Sequence, residues 1–337
     1  MLKSREINRA TGLLLLLLPV VTAFLCLGFG RFSISAGETL KVLVDGIKGV
    51  GGSDMKHSVV FQVRLPRIVL SLFVGAGLAC SGAAFQGLFT NPLATPDTLG
   101  VASGASFGAV LAMMFDANLI VIQLAALVFG LVSCMLACSI SRIKGSSSIV
   151  MIVLAGMVVS ALFQALVSLL KYVADPQDKL PSITYWLMGS MSGATYKTLW
   201  IGSPFILAGI AVIFALRWRL NILSLNEEEA KSMGMNVKAL RVGIITAASL
   251  ITASCVSMCG QVGWVGLLIP HVSRMLMGSN NRNVIPISIS LGAVFMTVMD
   301  TFARSATAAE IPLSILTAII GAPFFIGLLR KTGGAWS

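Results

Sequence analysis

Charge is scarce in this chain: only 11% of its 337 residues are Asp, Glu, Lys or Arg, against roughly 25% in an ordinary soluble domain. Acidic residues number 13 and histidines 2, so a catalytic carboxylate constellation or a histidine-rich metal centre has little to draw on. No Gly-Lys dipeptide occurs, so the phosphate-cradling loop that ends in Gly-Lys-Ser/Thr is absent, and any ATP-driven step must reside in another chain. Polar linkers and low-complexity tracts are also missing, so residues 1–337 read as a single domain. What remains is apolar: 56% of residues belong to the hydrophobic set and the mean hydropathy is +0.93. A formal net charge of +11 suggests nucleic acid in a soluble protein. Here the cations punctuate apolar runs and face anionic lipid, so nucleic acid is excluded as a partner.

Between charged residues lie apolar stretches at 10–30, 68–96, 98–115, 117–141, 145–170, 180–196, 198–216, 242–273, 283–299 and 311–329. The stretch 180–196 carries Pro181 and several polar residues and reads as a loop with a short interfacial helix. The stretch 242–273 exceeds one span and is interrupted by Gly260, Gly263, Gly266 and Pro270, so it turns back on itself. The expected architecture is all-α, a polytopic membrane protein of about ten transmembrane helices. The first stretch follows Lys3, Arg5 and Arg9 as a signal peptide would, but it is long enough to span and lacks a small-x-small cleavage site. It therefore reads as a retained span. Ten spans put both termini on one side, and the Lys/Arg bias makes that side cytoplasmic. Against the bias, Arg31, Lys41, Lys48, Lys56, Arg64 and Arg67 crowd one outer loop.

All six cysteines fall within apolar runs. Cys134/Cys138 and Cys255/Cys259 have a spacing open to a soft metal, but no histidine is near, and they read as small buried residues with no metal. Gly100, Gly104 and Gly108, and Gly75, Ala79 and Ala83, form small-residue faces for close helix packing. Two prolines in Asn91-Pro92-Leu93-Ala94-Thr95-Pro96 break the second stretch, which is tolerable only against protein or a wet cavity. Residues 225–237 form the most polar segment: Asn226 caps a short helix whose first turn holds Glu227, Glu228 and Glu229, and Gly234 ends it.

Taken together, Arg64-Leu-Pro-Arg67, the segment from Asn91 to Gly100, Gly263-x-Val-Gly-Leu-x-x-Pro270-His271 and the Glu310-x-Pro312 ending closely resemble the FecCD-type permease subunits of type II ABC importers. These import ferric siderophores, haem and cobalamin. The likeness runs from about residue 10 to 331. It departs at Asn280-Asn281-Arg282, where the family commonly has Asp-His-Arg.

The resemblance implies a non-enzymatic permease subunit in a bacterial or archaeal cytoplasmic membrane. It pairs with a second permease, probed first as a homodimer, two ATPases that bind ATP and Mg, and a periplasmic or extracellular binding protein. Arg64, Arg67 and Arg304 occupy the family positions that receive acidic residues of the binding protein. The alternatives are lipid anchoring and an internal Asp300–Arg304 pair. Glu227, Glu228, Glu229, Ala230, Ser232, Met233 and Gly234 would couple to the ATPase. Leu93, Ser146, Ser147, Ser148, Ser160 and Gln164 would form the gate and pathway wall, and Asn91, Pro92, Pro270, His271, Glu310 and Pro312 shape the fold. No cofactor is expected in this chain. The cargo reads first as a ferric siderophore, then haem or cobalamin. The competing function is an ion-coupled secondary transporter, which the missing acid in the hydrophobic middles disfavours.

Overall fold

The computed structural model describes residues 8–49, 54–142, 149–223, 227–307 and 309–332. Within these residues the ordered elements are helical. From the N-terminus they run α1 (Arg9–Gly28), α2 (Ala36–Ile47), α3 (Met55–Ser58), a π-helical stretch (Val59–Arg64), α4 (Leu65–Leu88), a 3₁₀ turn (Pro96–Leu99), α5 (Val101–Met114) and α6 (Leu119–Ile140). Then follow α7 (Ile149–Val173), α8 (Lys179–Leu187), α9 (Tyr196–Leu216), α10 (Arg219–Ile222), α11 (Glu227–Ser232), α12 (Val237–Cys259), α13 (Val265–Met277), α14 (Asn281–Ala306) and α15 (Leu313–Thr332).

Seven of these helices are long and apolar enough to cross a membrane, and α5, α13 and α15 contribute shorter apolar segments, which together account for the ten expected elements. α8 is the short helix expected within 180–196. α4 forms the axis of the bundle: 83% of its most apolar window is buried, against 11% for α1, which lies on the outside. Small residues make the central approach possible. Gly75 of α4 and Gly292 of α14 stand so close that a Cβ on Gly75 would lie 2.1 Å from the Gly292 carbonyl oxygen.

α1 shows how lipid imposes full backbone accounting. Pro19, inside this helix, has no N–H for the carbonyl of Leu15, and a Ser290 hydroxyl on α14 donates to that carbonyl at 2.7 Å.

Both expected interruptions are present. α4 stops at Leu88, and Asn91 accepts a hydrogen bond from the Leu93 amide at 2.9 Å in a tight turn, so the chain re-enters the bundle through the 3₁₀ turn before α5. α12 ends at Cys259, and Gly260 takes φ +72° where a Cβ would collide with the Trp186 carbonyl oxygen at 2.2 Å. The breakers differ in part from expectation. Gly266 and Pro270 lie within α13, so the turn is made by residues 260–264 alone. Pro270 offers no N–H to the Gly266 carbonyl, and Gln86 Nε2 donates to that carbonyl instead at 3.2 Å.

The connection between α1 and α4 is pinned by a small polar clip. Ser35 and Glu38 form a reciprocal cap at the start of α2, and Lys56 of α3 donates to Glu38 at 2.7 Å. Hydrogen bonding from Lys56, and then from Ser35, lowers the Glu38 carboxyl to a pKa of about 2. Because the folded pKa is depressed, the clip is fully formed above the ordinary carboxylate range near 4.3 and is lost as pH falls toward 2. A spin label on α2 is therefore expected to gain mobility between pH 5 and pH 2, and Glu38→Gln to abolish that response.

Candidate functional site

Three groups of residues distinguish the two ends and the middle of the bundle. At the end where α4 and α9 begin, Arg67 grips Asp300 of α14 with Nε at 3.0 and 2.9 Å from the two carboxylate oxygens and Nη2 at 2.9 Å, while its Nη1 donates to Glu310 at 2.9 Å. Arg64, rotated inward at the end of the π-helical stretch, donates to the carbonyls of Leu27 at 2.6 Å, Gly28 at 3.1 Å and Phe32. Arg304 donates to the Cys26 carbonyl at 2.7 Å and approaches Asp300 at 4.0 Å.

The three arginines gather at one end, as their motifs imply, but they do not form an open docking surface. Their exposures are 3%, 6% and 8% for Arg64, Arg67 and Arg304. In this chain the guanidiniums turn inward and tie the α1–α2 connection and the ends of α4 and α14 together. The internal Asp300–Arg304 alternative captured part of this, whereas Arg67 as the main partner of Asp300 lay beyond sequence spacing. Glu310 sits at φ +46° just before Pro312, and the Ile311 amide donates to the Ala303 carbonyl at 3.2 Å, which folds α15 back against α14.

Midway through the bundle the two broken segments face each other across a cavity of about 220 Å³ lined by Leu78, Asp97, Thr252, Gln261 and Trp264, among others. Leu78 and Thr252 lie well inside α4 and α12. The turn between α4 and α5 thus brings Asp97, itself exposed, to the wall of this cavity. Trp264 adopts φ +68°, a conformation costly for a bulky residue, and its ring packs on Gly321 of α15.

Beside the cavity, Ser160 of α7 shares a hydrogen bond with Ser103 of α5 at 2.8 Å, and Gln164 donates to both hydroxyls at 3.4 Å. Gln261 donates to Ser106 at 2.8 Å. Ser160 and Gln164 thus belong to one polar patch, while Leu93 lies on an exposed turn, 54% accessible. Ser146, Ser147 and Ser148 fall outside the described residues. Asn91 and Pro92 form the first turn. Pro270 and His271 lie buried in α13.

At the other end, α11 spans six residues within the 13 expected, and Gly234 follows it at φ +76°. Ala230 is buried and its carbonyl accepts from the Met235 amide at 3.3 Å. The Ser232 hydroxyl donates to the Glu229 carbonyl, and Met233 stands 60% exposed. Glu227 and Glu228 open this helix, and Asn226 lies outside the described residues. Sequence reasoning missed the tie beneath it. Asn221 of α10 donates to Asn280 at 2.8 Å and accepts from the Asn281 amide at 2.8 Å. The Asn-Asn-Arg departure is thus an amide lock between α10 and α14, and two adjacent asparagines facing a third in a polar loop were its only signal.

The FecCD transport family matches residues 15–331. The chain belongs to the FecCD transport family. This FecCD permease is 44% identical over 318 residues to a molybdate import system permease protein of Haemophilus influenzae, covering 94% of each chain. It is 36% identical to a probable iron chelatin transport system permease of Helicobacter pylori, with 94% and 96% covered. A solved structure described as an inward-facing conformation of a putative metal-chelate type ABC transporter superposes with a TM-score of 0.85 at 43% identity, over 94% of this chain and 97% of that one. The FecCD permease is accordingly a multi-pass protein of the cytoplasmic membrane with the type II ABC importer permease fold. It is a transport subunit and not itself an enzyme.

Proposed function

We propose that this permease, paired with a second copy, accepts a metal compound from a binding protein at the Arg67–Asp300 end and passes it along the α5–α7 wall toward a cytoplasmic pair of ATPases beneath α11. The observation that carries this reading is the polar patch of Ser103, Ser160 and Gln164 beside the opposed helix breaks. It gives a neutral, weakly holding wall in a chain with no phosphate-binding loop of its own. Neutral hydroxyls and an amide suit a compact oxoanion or a shielded chelate better than a bare cation, which needs rings of oxygen ligands.

Within this reading both termini are cytoplasmic, the ATPases supply ATP and Mg chemistry, and Met233 with Glu229 contacts the motor. The siderophore expectation broadens to metal compounds at large: relatives are named for molybdate, iron chelates, cobalamin and hemin. Molybdate is the first cargo to test, because its named permease shares 44% of residues with this chain. The ion-coupled alternative gains no support from family or fold.

The test is vanadate-sensitive uptake into vesicles holding the permease, its ATPase and its binding protein, with molybdate, a ferric hydroxamate, haem and cobalamin compared in parallel. Met233→Glu is expected to leave the permease folded and to lower ATPase attachment and uptake at least ten-fold, the scale of one lost interface anchor. Uptake unaffected by vanadate would defeat the ATP-driven reading.

A further inference from the structure

Away from the pathway, a lateral groove of about 690 Å³ opens between α1, α4, α9 and α14. Its size falls within the range of ligand clefts, about 300 to 1,000 Å³. The wall is apolar, built by Leu16 and Pro19 of α1, Phe73 of α4, Leu207 and Ile210 of α9 and Ile289 of α14. Only one end is polar, and there Arg217, Asn280, Arg282 and Asn283 stand around the mouth.

The dimensions and the asymmetry point to one kind of occupant. From Arg282 to Ala293, the deepest α14 residue in the wall, eleven helical steps cover about 16 Å. That is about half of a hydrocarbon core some 30 Å thick, so the groove reaches from one membrane face to the midplane and stops. A transmembrane helix from another protein would need the full thickness, whereas an acyl chain of one leaflet needs only this half. The neighbouring Trp218 is 49% exposed, with the Arg219 guanidinium 5.3 Å from its ring centre, a pairing suited to headgroup depth. Arg217 donates to the Phe214 carbonyl at 2.6 Å and lies over the Phe214 ring at 3.9 Å, which fixes its charge at the mouth. Among the described residues no carboxylate forms an ion pair with Arg217 or Arg282, so the two cations meet at a mouth whose complement is an anion.

We propose that this groove seats an anionic phospholipid, one acyl chain along α1 and α14 and its phosphate between Arg217 and Arg282. That the leaflet is the cytoplasmic one rests on the orientation proposed above; the lipid chemistry does not. Seated there, the lipid fills the gap between α1 and α9 and joins the outermost helix to the bundle.

The permease complex, equilibrated in vesicles of equal phosphatidylglycerol and phosphatidylcholine and then extracted in mild detergent, is assayed for retained lipid by native mass spectrometry. Preferential retention of phosphatidylglycerol is expected. Each arginine near an anionic lipid surface contributes about five-fold, so Arg282→Gln lowers retention about five-fold and Arg217→Gln with Arg282→Gln roughly 25-fold. Leu207→Trp, with both charges kept, fills the groove and displaces both lipids. If the double variant does not fold, Arg282→Gln decides, because this side chain is exposed at the mouth. Equal retention of the two lipids, unchanged phosphatidylglycerol in the variants, or a bound polypeptide in place of lipid would each overturn the proposal. Lipid retention is read without transport, so a failure here is separable from a failure of the importer reading.

Discussion

Replacing Arg67 with Ala is expected to cost the permease about 3–5 kcal/mol, the scale of breaking a buried ion pair by removing one partner. The reason is geometric. Arg67 makes three contacts with Asp300, whose side chain is 1% exposed, and one with Glu310, whose side chain is 26% exposed. Without the guanidinium, Asp300 keeps its burial and only the weak 4.0 Å approach of Arg304. Thermal melting of the detergent-purified protein measures the loss. Arg67→Met combined with Asp300→Leu is expected to recover part of it, since the buried Asp300 charge is gone while Arg304 keeps the Cys26 carbonyl and Glu310 is partly exposed. An Arg67→Ala protein that melted normally but no longer bound its binding protein would restore the docking role that the family motif implies.

Gly82→Ala is the second large effect. An added Cβ would lie 1.9 Å from the Gly266 carbonyl oxygen and 2.6 Å from its carbonyl carbon and Cα, all backbone atoms that cannot rotate aside. α13 must therefore retreat from α4, at a cost of about 1–3 kcal/mol or more for an overpacked contact. Because α13 begins directly after the Trp264 turn, the same retreat reshapes the central cavity, so surviving protein is expected to lose uptake as well. Gly243→Ala is the control: nothing lies within 4 Å of its Cβ position, and the change should stabilise α12 by about 0.5–1 kcal/mol. Equal melting temperatures for the two variants would show that the α4–α13 approach is looser than the contact distance implies.

The sequence revealed some parts of this molecule more readily than others. Hydropathy and breakers located the long helices, the short α8 and the two interruptions, because a 30 Å apolar slab demands apolar length and tolerates irregular backbone only inside protein. The motif residues also assembled: Arg64, Arg67, Arg304 and Glu310 meet, although Arg67 and Asp300 lie 233 positions apart. Their direction was hidden, because an arginine beside an apolar run is consistent with both a surface contact and an inward tie. The π-helical stretch that rotates Arg64 has no composition signal. That Asp97 lines the central cavity was hidden too, since linear distance from a span boundary does not encode where a turn packs. Ser160 and Gln164 were found because polar groups in an apolar helix need partners. Ser103, on another helix, was the missing half of that reasoning.

The arginine ties at the Arg67–Asp300 end also impose an order of events during synthesis. The carbonyl of Cys26 waits for Arg304, 278 positions downstream. At about 5–20 residues per second, roughly 15 to 55 seconds pass between the emergence of the two groups. Through that interval the α1–α4 connection is held by Arg64 and by the Lys56–Glu38 clip, and nine-tenths of the chain is made before Arg304 joins them. Truncation anywhere before α14 therefore leaves the Cys26 carbonyl without its arginine donor, and the start of the chain only partly fastened to the rest.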